Sequence, residues 1–393
     1  MKKLIRLSVI AVLLFSATQL SAKEQVSISR IVIFGDSLSD TGKMYKKSKG
    51  WLPSSPPYYT GRFADGPVWV DYIKEAFQKK AIDLTIINES EGGATAAAYE
   101  KESYNPTYQV INNLEHEVEQ FLENNKFQSS DLVIIWAGAN DYVTNNWRDT
   151  DRVMLAIDQT ISQALIGGAA QVLVINIPKL NITPFSNYYD NTQSADLENI
   201  STKHNQELIR LMSTRNPDKV RLFDVASELK EIIQNAASLG FTNTDQACYT
   251  KGYIWHPFIK GKSKQYAHSK SLIQYDYYGL KTEPKKMEEL NRYELRELFE
   301  NDPNFSKNPM LHDALPSGQQ MSLRERDTFN RQGNSRLIDD DDSTMARSID
   351  IAGNAPDNCD GYLFWDKVHP TTAAHQVLAD RLYSFFELYY TLR

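Results

Sequence analysis

The sequence predicts an α/β domain built on a parallel β-sheet with helices on both faces. Two observations predict it. Residues 31–34, 84–87, 132–136 and 172–175 are short, unbroken apolar runs with the length and β-branched content of strands buried on both sides. Between them the pattern changes to a helical period, with Val110, Leu114, Val118, Phe121 and Leu122 on one stripe and Val153, Ile157, Ile161, Ala164 and Leu165 on another. Alternation of strand and helix calls for crossover connections, hence parallel strands with helices above and below. Sheets of this kind bind ligands at the carboxyl ends of their strands. The residues that follow each apolar run are therefore the candidates for chemistry.

Taken from the start of the 393 residues, positions 1–22 hold Lys2, Lys3 and Arg6, an apolar stretch over 9–15, and Ser21-Ala22. These are the three zones of a secretory signal peptide, so the mature chain is expected to begin at Lys23 and to reach the extracellular space, with the periplasm as a stage in transit. Beyond it no run approaches the ~20 apolar residues that a membrane-spanning helix requires. Removing the leader lowers the formal charge from -7 to -10. A nucleic-acid binder would carry a basic face instead.

Residues 220–223 are expected to form a fifth strand. Cys248 and Cys359 are the two cysteines, and in a secreted chain an even count predicts a disulfide between them. The rival reading, a catalytic or metal-binding thiol, lacks a C-x-x-C pair. Residues 249–358 break the alternation: 16 basic and 17 acidic side chains are spread through them, without a strand-like run. One helix is predicted there, over about 284–300, with Met287, Leu290, Tyr293 and Leu298 as its apolar side, and an acidic run follows at 339–342. Long polar segments of this kind are functional or disordered, and are targets for proteases. After Cys359 the helical period returns, with Pro370-Thr371 opening a helix that carries Ala374, Val377, Leu378, Leu382 and Phe385. The expected organisation is a single domain over 23–393, with 249–358 as a disulfide-enclosed insertion.

The first strand runs into Gly35-Asp36-Ser37-Leu38-Ser39-Asp40-Thr41-Gly42. A small residue before the serine permits a tight turn that presents its hydroxyl at the sheet's carboxyl edge, where a nucleophile belongs. Serine needs a base, and the base needs an orienting carboxylate. Among seven histidines, His369 has the best context, because Asp366-Lys367-Val368-His369-Pro370 places a carboxylate three residues ahead of an imidazole. The alternative makes Asp366 a helix cap and His369 a surface residue. Acyl transfer also needs donors for an oxyanion. Two strand ends offer them: Asn88 to Thr95 with Gly92-Gly93, and Gly138-Ala139-Asn140-Asp141. Each taken alone reads equally as a turn.

Together the four blocks resemble the GDSL lipases, also called SGNH hydrolases, over roughly 29–240 and 359–390. The resemblance implies a three-layer α/β/α sandwich with a central parallel sheet and a long insertion before the C-terminal catalytic block. It also implies Ser37 as nucleophile, His369 as base and Asp366 as its support. The Ser37 backbone, Gly93 and Asn140 would form the oxyanion hole, with Gly92 as the alternative if the turn differs by one residue. No metal or other cofactor is implied, and no H-E-x-x-H spacing is present.

A narrower resemblance is to secreted bacterial phospholipases A, lysophospholipases and glycerophospholipid:cholesterol acyltransferases. It rests on Asp40-Thr41-Gly42, on the block from Tyr59 to Trp69, on Gly92 to Ala96, on Ile177-Pro178 with Thr183-Pro184, and on two cysteines bracketing a long segment. Where many relatives have Asn after Thr-Gly this chain has Lys43, which places local loop contacts in question. Arg62, Phe63 and Trp69 read as shaping a loop. The resemblance implies phospholipid and lysophospholipid substrates, a sterol acceptor and peripheral contact with lipid surfaces; the insertion adds an activating protease as a partner if it acts as a lid. The insertion also reads as passive. The aromatics at Tyr58-Tyr59, 249–255 and Tyr275-Tyr277-Tyr278 are candidates for an acceptor surface, and equally for packing. Hydrolysis and transfer remain alternatives. The rival enzyme class is an SGNH carbohydrate or acetyl esterase, and the rival outside enzymes is a secreted binding module.

Overall fold

The computed structural model describes residues 26–50, 52–99, 111–144, 146–188, 191–253, 355–356 and 358–393. In chain order the N-terminal half contains β1 (Val26–Ile28), β2 (Arg30–Gly35), α1 (Lys43–Lys47), α2 (Trp69–Lys79), β3 (Thr85–Asn88), α3 (Leu114–Asn124), β4 (Asp131–Trp136) and α4 (Ala139–Val143). There follow α5 (Thr150–Ile166), β5 (Gln171–Ile175), α6 (Asn191–Ser213), β6 (Val220–Phe223), α7 (Val225–Gln234), β7 (Asn243–Ala247), β8 (Tyr362–Phe364), α8 (Thr372–Tyr389) and β9 (Tyr390–Leu392). The expected leader over 1–22 and the expected helix over about 284–300 lie outside the described residues. Among the described residues no helix is long and apolar enough to cross a membrane.

Five parallel strands form the middle layer, in the order β3-β2-β4-β5-β6. The period of two along each strand sorts its side chains to opposite faces. Val32, Phe34, Val133, Ile135, Val172 and Val174 point to one side and pack with Leu114, Val118 and Phe121 of α3, Val153, Ile157 and Ile161 of α5, and Leu197 and Ile200 of α6. Ile31, Ile33, Leu132, Ile134, Leu173 and Ile175 point to the other, against Trp69, Ile73 and Phe77 of α2 and Leu378, Leu382 and Phe386 of α8. The result is a three-layer α/β/α sandwich with a central parallel sheet, as the sequence resemblance implies. All side chains of β4 and β5 are buried, as their continuous apolar runs require. β3 departs from that expectation: it is the edge strand, paired on one side alone, and its side chains are exposed or half-buried. Leu122 closes its helical stripe half out in solvent, at 46% exposure.

The first strand of the sheet, β2, lies between β3 and β4, so the chain reverses its direction of winding there. The carboxyl end of β2 is thus a topological switch point, where neighbouring connections diverge and leave a crevice.

A second pairing positions the C-terminal block. β7 and β8 run parallel, with Asn243 opposite Tyr362 and Ala247 opposite Phe364, and the ladder continues as Cys248 N–H donates to Phe364 O and Tyr249 N–H to Trp365 O. A Cys248–Cys359 disulfide closes this ladder. The bond holds the chain seven residues ahead of Asp366. Cross-linking a loop of this length stabilises by up to about 4.7 kcal/mol on the chain-entropy model. Cys248→Ser is therefore expected to lower the thermal unfolding midpoint by several degrees; an unchanged midpoint in a differential scanning measurement would show that the β7–β8 pairing holds without it.

Candidate active site

β2 ends at Gly35, and its successor residues turn sharply. A side chain on Gly35 would place Cβ 2.3 Å from the backbone oxygen of Trp136 on β4, so the two strands can approach here because Gly35 has none. Asp36 O accepts the N–H groups of Ser39 and Asp40, closing one helical turn that lifts Ser37 to the carboxyl edge of the sheet. The Asp40 carboxylate then collects backbone donors from Gly42 (2.7 Å), Lys43 (2.6 Å), Met44 (3.0 Å) and, across the crevice, Gly92 (2.8 Å).

The Asp366 turn arrives from the opposite side of the site. Asp366 Oδ1 accepts the backbone N–H groups of Val368 (2.9 Å) and His369 (2.8 Å), which folds the four residues into a tight turn. Lys367 O accepts from Phe185 N, bracing that turn from outside. Both carboxylate oxygens face His369 Nδ1, at 2.7 Å for Oδ2 and 3.0 Å for Oδ1, so Nδ1 carries the proton and Nε2 is left as acceptor. Ser37 Oγ lies 2.7 Å from Nε2. The surface reading of His369 is ruled out, since His369 and Asp366 are each only 2% exposed, and the cap of α8 is Thr371, whose side chain accepts from Ala374 N. Residues 332 positions apart in sequence thus form one hydrogen-bond path from hydroxyl to imidazole to carboxylate. Such a path can take a proton from Ser37 as its oxygen attacks a carbonyl.

The two further blocks follow β3 and β4, the strands on either side of β2, at the same carboxyl edge of the sheet. Gly93 adopts φ +84°, in the left-handed region that glycine enters without steric cost. Gly92 is engaged elsewhere: its N–H donates to Asp40, and a Cβ there would lie 2.2 Å from the Phe63 ring. Asn140, 5% exposed, donates through Nδ2 to Ala94 O at 3.0 Å and accepts from Thr144 Oγ1 at 2.8 Å through Oδ1. Because Ala94 O can only accept, the amide is held with Nδ2 towards it, and Nδ2 retains a second hydrogen. Ser37, His369 and Asp366 are thus joined in one hydrogen-bond path, and Asn140 is bonded to the loop that carries Gly93. Among the described residues no group of three or more His, Cys, Asp or Glu side chains is placed to hold a metal.

Sequence reasoning missed what supports these residues. Glu117 on α3 is fully buried and accepts from Gly35 N (2.8 Å) and Glu91 N (3.1 Å), tying the ends of β2 and β3 together. A signal was present: Glu117 shares a helix stripe with Leu114 and Phe121. Asp141 accepts from Ala96 N, Ala97 N and Tyr99 Oη. Tyr58 Oη donates to Asp366 Oδ2 at 2.9 Å, and nothing in the local sequence pointed to it. Of the aromatics considered for an acceptor surface, Tyr58 and Tyr249 are buried in packing and Tyr59 is 45% exposed. Trp255, Tyr275, Tyr277 and Tyr278 lie outside the described residues. The loop readings take a definite form: Arg62 makes a paired contact with Asp71, Trp69 Nε1 donates to Ser39 Oγ, and Phe63 packs its ring against His369 with centroids 5.2 Å apart. Lys43 reaches Glu89, binding its carboxylate at 2.6 Å and its backbone oxygen at 2.9 Å.

A family model described as GDSL-like Lipase/Acylhydrolase matches residues 31–269. The chain is 36% identical to a phosphatidylcholine-sterol acyltransferase of Aeromonas hydrophila over 381 residues, 96% of each protein. It is 30% identical over 241 residues to the secreted effector protein SseJ of Salmonella typhimurium, covering 59% of this chain and 55% of that one. With a thermolabile hemolysin of Vibrio parahaemolyticus it shares 24% identity over 238 residues, 58% of this chain and 53% of the relative.

Burial raises the Asp36 carboxyl from its ordinary 3.8 to about 7, against the opposing pull of the Leu38 N–H and of His369. The folded state then keeps this proton over a range where the unfolded chain has released it. Stability contributed by Asp36 is full below about pH 4, is lost as pH rises towards about 7, and is level above. Asp36→Asn mimics the protonated acid and can still accept from Leu38 N. Urea midpoints of variant and wild type are expected to agree near pH 4, with the variant higher by pH 8; a constant gap across that range would contradict the assignment.

Proposed function

The chain belongs to the GDSL-like lipase/acylhydrolase family, and from that premise we propose that it is a secreted serine acyl hydrolase and acyltransferase acting on glycerophospholipids and lysophospholipids. One observation carries the reading most: the Ser37–His369–Asp366 hydrogen-bond path is complete in a chain that matches a phosphatidylcholine-sterol acyltransferase along nearly its whole length. Ser37 Oγ attacks the ester carbonyl of a fatty-acyl chain while His369 Nε2 takes its proton. Asp366 holds the imidazole and stabilises the charge that it acquires. The tetrahedral oxyanion is received by the backbone N–H groups of Ser37 and Gly93 and by Asn140 Nδ2, each donor worth about 3 kcal/mol in comparable sites. Collapse expels the lysophospholipid or glycerophosphodiester, which takes its proton from His369, and leaves an acyl-serine. Water then gives a fatty acid, and a sterol hydroxyl such as cholesterol's gives a sterol ester. No cofactor enters these steps.

In this reading Gly93, whose φ of +84° lies in the region that glycine enters without steric cost, is the donor of its block, with Gly92 as the alternative. Residues 1–22 serve as the signal peptide, and one hydrolase domain spans 23–393. The segment 249–358, bounded by the two disulfide cysteines, is proposed as a lid or regulatory segment on which an activating protease acts, with a passive insertion as the alternative. Tyr253, near its start, already packs against His369, with ring centroids 5.8 Å apart. An ester hydrolase of carbohydrate or acetyl groups would use the same five residues, and a binding module would use none.

Lipid analysis by mass spectrometry separates these readings. Incubated with phosphatidylcholine, lysophosphatidylcholine and cholesterol, the protein is expected to release fatty acid and form cholesteryl ester, with higher rates after limited proteolysis within 249–358. Activity on acetylated sugars alone would favour the carbohydrate esterase. A wild type that a fluorophosphonate does not label at Ser37 would favour the binding module. Asn140→Ala is expected to lower kcat about 10²–10³-fold while KM changes little, as loss of an oxyanion donor does; an equal rise in KM with kcat intact would remove Asn140 from that role.

A further inference from the structure

The triad carboxylate receives a hydrogen bond that the proposed mechanism does not use. Tyr58 is 1% exposed, and its hydroxyl donates to the same Asp366 oxygen, Oδ2, that lies 2.7 Å from His369 Nδ1. Its position is held from several sides. Tyr58 N donates to Ser54 O at 3.1 Å, Ser55 Oγ donates to Tyr58 O at 2.7 Å, and Ser54 N donates to Tyr253 O at 2.6 Å. The ring meets Tyr249 and Trp365 edge-on, with centroids 5.6 and 5.8 Å away, and those two stack on each other at 5.1 Å with planes 7° apart. Cys248 and Cys359 pack against this cluster.

We propose that Tyr58 is a positioning residue for the acid-base pair, fixing the Asp366 carboxylate through its hydroxyl and linking it to the disulfide-anchored aromatic cluster. The inference rests on the serine-hydrolase reading above. A carboxylate that accepts several hydrogen bonds has its negative charge spread and its rotation stopped. Without the phenol, Oδ2 draws the imidazole proton more strongly and the carboxylate loses a fixed reference. The other titratable groups around the pair are Asp36, in the turn after β2, and His375, in the first turns of α8, both within electrostatic reach of His369. Tyr253 and Phe63 present rings to the imidazole.

The test is a kcat/KM against pH profile on a short-chain p-nitrophenyl ester, using full-length protein. Tyr58→Phe keeps the ring and removes the donor, and is expected to lower kcat roughly tenfold with KM little changed, as loss of a hydrogen bond to a charged group does. Its acidic limb should move to higher pH by about half a unit. Replacing Tyr58 by 3-fluorotyrosine keeps both ring and hydroxyl but makes a stronger donor, so its acidic limb should move to lower pH. That variant decides the matter if Tyr58→Phe does not fold. Acidic limbs that coincide with the wild type in every soluble variant overturn the positioning role alone. A wild type without esterase activity and without fluorophosphonate labelling at Ser37 overturns the serine-hydrolase reading, and this inference with it.

Discussion

Irregular backbone buried at a sheet edge must find acceptors for its N–H groups, and here buried carboxylates supply them. The loop after β3 passes through the crevice at 91–97 without forming a strand or helix long enough to satisfy itself. Glu117 from α3 takes the N–H of Glu91, Asp40 from the β2 turn takes that of Gly92, and Asp141 from α4 takes those of Ala96 and Ala97. Each carboxylate comes from a different element, so the loop is located relative to the β2 turn, α3 and α4 at once. The positions of Gly93 and Asn140 follow, because Asn140 itself donates to Ala94 O in the same loop. An unpaired buried donor costs about 1–3 kcal/mol, so shifting this loop would break several such bonds together.

The clamp has an electrostatic cost that the same residues partly offset. Burial pushes Asp40 and Asp141 up to about 6, and Glu117 well above its usual range, while the donated N–H groups pull each back. Two lysines of α1 bring positive charge to the rim: Lys43 pairs with Glu89, and Lys47 with Glu91 at 2.7 Å. The Lys43 contact gives the lysine after Thr41-Gly42 a defined place at the rim. Its ammonium also binds the Glu89 backbone oxygen, just ahead of the loop that the carboxylates hold.

The Asp366–His369 turn is held by different physics. Its turn is folded by Asp366's own backbone hydrogen bonds, but its placement against Ser37 depends on apolar and aromatic packing: the β7–β8 ladder, the disulfide, the Tyr58–Tyr249–Trp365 cluster, and Phe63 against His369. Residues 59–69, far away in sequence, brace the start of the following helix, where Asp65 accepts from Thr372 N at 2.6 Å and Pro67 O from Thr372 Oγ1 at 2.8 Å. The polar clamp thus sets the loop that carries Gly93, and the aromatic cluster sets the turn that carries His369.

The apolar runs and helical stripes determined the α/β class, and the strand ends carried the four blocks, because strand periodicity and turn chemistry are local properties that a short stretch of chain expresses by itself. The turn of Asp366 to His369 was legible for the same reason, since the carboxylate folds onto backbone groups two and three residues away. Why β3 is half-exposed, what engages the Gly92 N–H, and what orients Asn140 and Asp366 were settled by partners distant in sequence. Glu117 lies 82 residues from Gly35 and Tyr58 lies 308 from Asp366. Contacts of that kind depend on how strands are ordered in the sheet and which segments then share the crevice, and no local pattern encodes them.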